Sequence, residues 1–162
     1  MGTKHIVWKV IAIIFAVFVI ITAVSESIKQ KNIDADLEPE LEPVSGKILS
    51  GKEYNDSEIT VTAPENKSCV VKLKTKSDKT RLTFYVRAGR TVTVGVPAEK
   101  LYVYFASGKT WYGEKHLFGA GTSYTKDDKI RDFTDQSWTY TLQLVSDGNF
   151  SQTRIDEDEF NE

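Results

Sequence analysis

The sequence is poor in the residues that build disulfide-bonded and metal-bound domains, since 162 residues include one cysteine and two histidines. The single thiol, Cys69, excludes an intramolecular disulfide framework and a zinc site that relies on several cysteines. Cys69 stands beside Val70 and Val71, so we expect it to be a small buried core residue. The chain also has no large excess of charge of either sign, because it contains 21 basic and 23 acidic side chains. This balance excludes a nucleic-acid-binding protein with a broadly basic surface.

One long apolar run is present near the N-terminus. Ile6–Val24 contains a single charged side chain, Lys9, and a helix of this length spans roughly 28 Å, the thickness of the hydrocarbon core of a bilayer. We therefore predict a single-pass transmembrane anchor in residues 1–25 of a cell-membrane protein. The alternative is a cleaved signal peptide, because Ala23-Val24-Ser25 resembles a cleavage site. The short, basic N-terminal flank favours a cytoplasmic N-terminus with the domain outside.

Two acidic segments flank the rest of the chain. Residues 26–44 contain no aromatic side chain, are rich in carboxylates and include two prolines, so we predict an extended stalk. Residues 156–162 hold five further carboxylates and are predicted to be an acidic tail. The segment between them, residues 45–155, is predicted to be one domain.

Between Ile59 and Arg154, apolar and polar residues alternate with the period of half-buried β-strands. This pattern predicts an all-β fold, an antiparallel β-sandwich of seven short strands with the last two joined through Ser146–Asn149. The predicted strands are Ile59–Ala63, Val71–Thr75, Leu82–Val86, Val92–Val96, Leu101–Phe105, Tyr140–Leu144 and Phe150–Ile155. The residues expected to face the core are Val92, Val94, Val96, Leu101, Val103 and Phe105.

Two stretches carry a resemblance to known proteins. Phe84–Pro97, followed by Leu101–Tyr104, resembles the prealbumin-like (carboxypeptidase regulatory-like) β-sandwich, an Ig-like arrangement in which an apolar strand runs into a proline turn and an aromatic-rich strand. The next stretch, Tyr104–Gly119, is similar to a segment of a bacterial membrane-anchored family without an established activity. The resemblance implies a bacterial cell-envelope protein and no particular chemistry.

A long connection without a strand pattern runs from Ser107 to Ser137. It is rich in aromatic residues and glycine, so we predict an ordered cap over one edge of the sandwich rather than a solvated coil. Thr125 and Asp128 have the spacing of a capping box and predict a short helix. The aromatic side chains either cover a sheet edge or line a groove for a ligand or partner. The candidate binding residues are Trp111, Tyr112, Tyr124, Lys109 and His116.

Few residues have the arrangement that catalysis requires. Glu114 and His116 are the best acid/base candidates, and a metal site would also need Asp127 and Asp128, which the spacing does not bring to them. We therefore predict no catalytic site, metal or cofactor.

A row of lysines lies on one face of the first predicted hairpin. Lys72, Lys74, Lys76 and Lys79 are expected to form a solvated strand face that discourages edge pairing. The alternative is a surface that binds an anionic polymer.

These features predict a membrane-tethered, extracytoplasmic and non-enzymatic binding or interaction module. Its expected partner is a protein or a cell-envelope polymer, and not a nucleic acid. Two alternatives remain open, a cell-envelope hydrolase or accessory enzyme that uses Glu114 and His116, and a structural assembly subunit.

Overall fold

The computed structural model describes residues 36–142 and 151–162, and a compact unit begins at Pro39 and runs to Glu162. The described residues are mostly β, with ten strands in two sheets. The strands are β1 (Ile48–Gly51), β2 (Ser57–Thr62), β3 (Ser68–Lys74), β4 (Thr80–Val86), β5 (Thr91–Val96), β6 (Lys100–Gly108), β7 (Ser123–Asp127), β8 (Arg131–Asp132), β9 (Trp138–Thr141) and β10 (Gln152–Arg154). The helical elements are α1 (Gly113–His116), the 3-10 turn Gly119–Gly121 and α2 (Glu157–Asn161).

The larger sheet is antiparallel and has the order β1-β4-β3-β6-β7-β10, with β8 paired to the start of β6. The predicted hairpin is confirmed as the β3–β4 pair, in which Lys72 lies opposite Thr83. Strand β6 is the centre of this sheet, because it pairs with β3 along one edge and with β7 along the other.

The smaller sheet has the order β5-β2-β9, and β9 runs parallel to β2. The last two predicted strands correspond to β9 and β10, which belong to different sheets and so do not pair with each other. The amide of Leu142 extends the β9 pairing by donating to the carbonyl of Thr62, whereas the amide of Ile155 extends the β10 pairing by donating to the carbonyl of Tyr124 in β7.

The two sheets share one apolar core. The predicted inward face is confirmed for five of its six residues, and the sixth, Val92, is partly buried. Cys69 is a core residue as expected, and burial raises the pKa of its thiol to about 12. The five confirmed residues are Val94, Val96, Leu101, Val103 and Phe105.

A second apolar cluster covers the outer face of the larger sheet. Tyr85 and Tyr104 project from β4 and β6 into this cluster, where they meet residues from the segment after β6 and from α2. The larger sheet is therefore buried on both faces, which is why its outward positions hold tyrosines. The residues contributed from outside the strands are Trp111, Leu117, Phe118 and Phe160.

The predicted connection from Ser107 to Ser137 is only partly a cap. Strand β7 lies within it, and Thr125 pairs with Phe105 on β6, so the capping-box helix at Thr125–Asp128 is wrong. No apolar alternation marks β7, because its core-facing positions, Ser123, Thr125 and Asp127, are all polar, and the Asp127 carboxylate is buried in an ion pair with Arg131.

Several predicted features lie outside the described residues. They are the anchor Ile6–Val24, the stalk up to residue 35, and the end of the sixth strand together with Ser146–Asn149. Within residues 36–142 and 151–162, no helix is long and apolar enough to cross a membrane.

Candidate functional site

The segment between β6 and β7 forms an ordered cap, but the cap lies on the outer face of the larger sheet and not over a sheet edge as predicted. Two glycines shape it. A side chain at Gly108 would meet Cβ of Phe118 at 2.1 Å, so only glycine lets the segment lie on the end of β6. Gly113 starts α1 with a φ of +88°, a conformation that favours glycine. The amides of Tyr112 and Leu117 close the turn by donating to the carbonyls of Leu117 and Gly113, respectively.

Trp111 lies inside the second apolar cluster. Its side chain is 3% exposed. Its ring centroid is 4.9 Å from that of Tyr85 and 5.5 Å from that of Phe118, both in edge-to-face geometry. Such pairs contribute about 0.5–1.5 kcal/mol beyond the burial of their surface. The ring therefore fixes the cap to the sheet and offers a ligand little accessible surface.

The other candidate residues divide into a buried one and three at the surface. Tyr124 is buried beside Phe160, with ring centroids 5.2 Å apart, and burial raises the pKa of its hydroxyl. Lys109 and His116 are exposed and Tyr112 is half-buried. The cap thus brings Lys109, Tyr112 and His116 onto one short surface segment, and leaves Tyr124 beneath the surface.

The C-terminal part of the predicted stalk, Pro39–Val44, is bound to the domain. The guanidinium of Arg87 donates to the carbonyls of Glu42 and Pro43 at 2.7 and 2.8 Å. The Glu42 carboxylate accepts hydrogen bonds from Tyr85 at 3.1 Å and from Ser68 at 2.9 Å. Desolvation is the main cause that raises the pKa of the Tyr85 hydroxyl, which therefore stays a donor. We call this set of contacts the clamp.

The predicted solvated lysine row is wrong at two of its four positions. Lys76 and Lys79 are exposed, but Lys72 is half-buried and Lys74 is fully buried. Their ammonium groups donate to carbonyls of the C-terminal segment, Lys72 to Phe160 at 2.6 Å and Lys74 to Glu159 at 2.8 Å. Desolvation lowers the pKa of both, and that of Lys72 falls to about 8.

Pairing across three strands places further residues beside these two lysines. Lys72 lies opposite Tyr104, which in turn lies opposite Lys126 on β7. The ammonium of Lys74 is 4.6 Å from the Tyr104 ring centroid, and Lys126 forms an ion pair with Glu159. We call Lys72, Lys74, Tyr104 and Lys126 the lysine face. The sequence contains a signal for the short helix that covers the lysine face. Asp156 and Glu159 have the spacing of a capping box, and Phe160 follows them directly.

A buried polar network joins the two sheets. The Asp127 carboxylate accepts from the Arg131 guanidinium at 2.5 and 3.0 Å and from the Tyr140 hydroxyl at 2.8 Å. The Arg131 guanidinium also lies 4.3 Å from the ring centroid of Trp138. Every carboxylate oxygen has a donor, so the network stabilises the packing of β7 and β9 and leaves no free acid or base.

The predicted acid/base pair remains at the surface. Glu114 and His116 are both exposed on α1, and Glu114 lies 3.8 Å from the ammonium of Lys47. In the part of the chain that the structure describes, no group of three side chains is arranged to hold a metal ion.

One cavity, with a volume of about 430 Å³, opens beside β2 and β5. Glu53, Asp56 and Glu58 line it, and all three are exposed. Glu53 also accepts a hydrogen bond from the amide of Gly95 at 3.3 Å, which covers part of the β5 edge. The cavity is polar and partly open to water, and the carboxylates that line it remain exposed.

Comparisons with models of protein families, with curated proteins and with solved structures found no match.

Proposed function

We propose that this chain is a membrane-tethered, extracytoplasmic binding module without enzymatic activity. The observation that supports this proposal most directly is the clamp. Contacts of Arg87, Glu42 and Tyr85 hold the first residues of the compact unit in place, at the point where an N-terminal tether would join the domain. Charge-assisted hydrogen bonds of this kind contribute about 1.5–3 kcal/mol each.

The two-sheet arrangement supports the finer proposal of a prealbumin-like β-sandwich from a bacterial cell envelope. Strand β5 ends at Val96, Pro97 follows, and β6 begins at Lys100. This order of an apolar strand, a proline turn and an aromatic-rich strand is the feature on which the resemblance depends.

The surface of the cap is the proposed binding site. Lys109, Tyr112 and His116 lie on one segment whose backbone is held by the packing of Trp111 and by a hydrogen bond from the amide of Glu40 to the Trp111 carbonyl, 2.9 Å long. A rigid surface reduces the entropy lost on binding. The proposed partner is a protein or a cell-envelope polymer.

The topology can be tested by limited proteolysis of intact cells whose wall has been removed. Because the clamp holds Pro39–Val44, we expect an added protease to cut on the N-terminal side of Pro39. The released fragment should contain the whole domain and begin at that cut. Protection in intact cells, combined with cleavage after lysis, would place the domain in the cytoplasm. N-terminal sequencing of the untreated protein distinguishes an anchor from a cleaved signal peptide, since a mature start near Glu26 contradicts the anchor.

The binding site can be tested by cross-linking on the cell surface. We expect Lys109→Glu to abolish capture of the partner that the unmodified chain captures, because the substitution reverses a charge on the cap. The matched control is Lys76→Glu, which makes the same change at an exposed position of the β3–β4 hairpin. Equal capture by both variants would contradict a site on the cap.

A further inference from the structure

The C-terminal segment is held on the lysine face by two of its residues. Carbonyl groups of Glu159 and Phe160 accept hydrogen bonds from Lys74 and Lys72. The ring of Phe160 is 1% exposed, and the Lys72 ammonium lies 4.2 Å from its centroid. A short linear element, one acidic residue followed by one aromatic residue, therefore makes most of the contacts.

The structure of this segment depends on those contacts. Helix α2 has five residues, and helices shorter than about 12–15 residues are marginal in water when isolated. The Asp156 carboxylate caps α2 by accepting from the Glu159 amide at 2.8 Å, but one cap contributes only about 1 kcal/mol. Helix α2 therefore forms because the segment packs on the lysine face, and without that packing the segment would be unfolded.

The charges of the two surfaces are complementary. Lys72, Lys74 and Lys126 approach the carboxyl-terminal end of α2, where cations are favoured by the helix dipole. The segment 156–162 carries five carboxylates, and one of them pairs with Lys126. The ammonium groups of Lys74 and Lys126 lie 4.6 and 6.0 Å from the ring centroid of Tyr104, and the segment covers this ring and both cations.

We propose that the lysine face is a recognition site for acidic peptide segments that carry an aromatic residue, and that the chain's own C-terminal segment occupies it in the free protein. This proposal goes beyond the proposed binding site on the cap, because it assigns a second site and one class of partner for it, a protein that presents a similar segment. Such a partner must displace a tethered competitor, whose effective concentration is in the millimolar range for short linkers. The site is therefore closed to weak ligands and open to ligands that bind more tightly than the chain's own segment.

The first test measures binding of a fluorescent peptide with the sequence of residues 151–162 to the full chain in detergent. At micromolar peptide we expect no binding to the unmodified chain and saturable binding to Phe160→Ala, because this variant releases the C-terminal segment and so removes a competitor of millimolar effective concentration. Asn161→Ala is the matched control, since Asn161 is exposed on the same helix and its loss leaves the segment docked. Adding Lys74→Met to Phe160→Ala should weaken peptide binding about tenfold or more, because a charge-assisted contact is lost.

A second measurement uses the unmodified chain, so that it does not depend on how the variants fold. Hydrogen–deuterium exchange of residues 156–162 should accelerate when the same peptide is added at millimolar concentration. A peptide with alanine in place of phenylalanine should have no such effect. Resistance of the Cys69 thiol to labelling reports that the core stays folded throughout.

Each other outcome overturns the proposal. In the first of these outcomes, the Phe160→Ala variant folds but binds no peptide. In the second, Lys74→Met leaves the peptide affinity unchanged. In the third, the peptide leaves the exchange rate of residues 156–162 unchanged. Competition by polyphosphate, together with equal competition by the alanine-containing peptide, would show a general polyanion surface instead. Failure of these tests leaves partner capture through Lys109 unaffected, so it is distinguishable from failure of the proposed function.

Discussion

Truncation of Trp111 should strongly destabilise the domain. The side chain is 3% exposed and contacts the rings of Tyr85 and Phe118. Replacing a buried tryptophan with alanine costs about 3–5 kcal/mol, because apolar contacts are lost and a cavity remains. At roughly 4 °C per kcal/mol for a domain of this size, Trp111→Ala should lower the Tm by about 12–20 °C. The measurement is thermal unfolding of the full chain in detergent, followed by near-UV circular dichroism.

The matched control lies on the same segment. Lys109 is exposed, so Lys109→Ala should change the free energy of unfolding by no more than about 0.5 kcal/mol. If Trp111→Ala lowers the Tm no more than Lys109→Ala does, the ring does not pack as the structure shows. In that case Trp111 would be available to contact a partner directly.

Three further outcomes concern buried polar groups. Asp127→Ala should cost about 3–5 kcal/mol in urea denaturation because Arg131 is left buried without its counterion, and a cost below about 1 kcal/mol would contradict that burial. Cys69 should resist a thiol reagent at pH 8 until the chain is unfolded, since its pKa is about 12; labelling of the native chain would contradict its place in the core. The free energy of unfolding should rise from about pH 8 towards pH 10.5 through Lys72, because its folded pKa is lowered and the unfolded chain binds more protons in that window. Lys72→Met should remove this rise, and an unchanged pH profile would show that Lys72 is not desolvated.

The strands that can be predicted from the sequence are those whose inward positions are apolar. Leu101, Val103 and Phe105 alternate with outward residues, and the period alone identifies β6. Strand β7 lacks this alternation, because its core-facing positions, Ser123, Thr125 and Asp127, are all polar. Asp127 is accommodated in the core because the guanidinium of Arg131 and the hydroxyl of Tyr140 donate hydrogen bonds to it. Aromatic content likewise locates the cap, whereas the burial of Trp111 depends on Tyr85, a residue of β4 that is distant in sequence.

The lysine face shows why an alternating pattern does not determine which face of a strand is exposed to solvent. Lys72 and Lys74 alternate with core residues as they would on any half-buried strand, and Lys126 joins them only through the pairing of β3, β6 and β7. Desolvating an ammonium group is costly unless hydrogen bonds replace its water, and here backbone carbonyls of the C-terminal segment supply them. A row of cations on a strand and an acidic segment with one aromatic residue elsewhere in the chain are therefore best interpreted together, because each provides the partner that the other lacks.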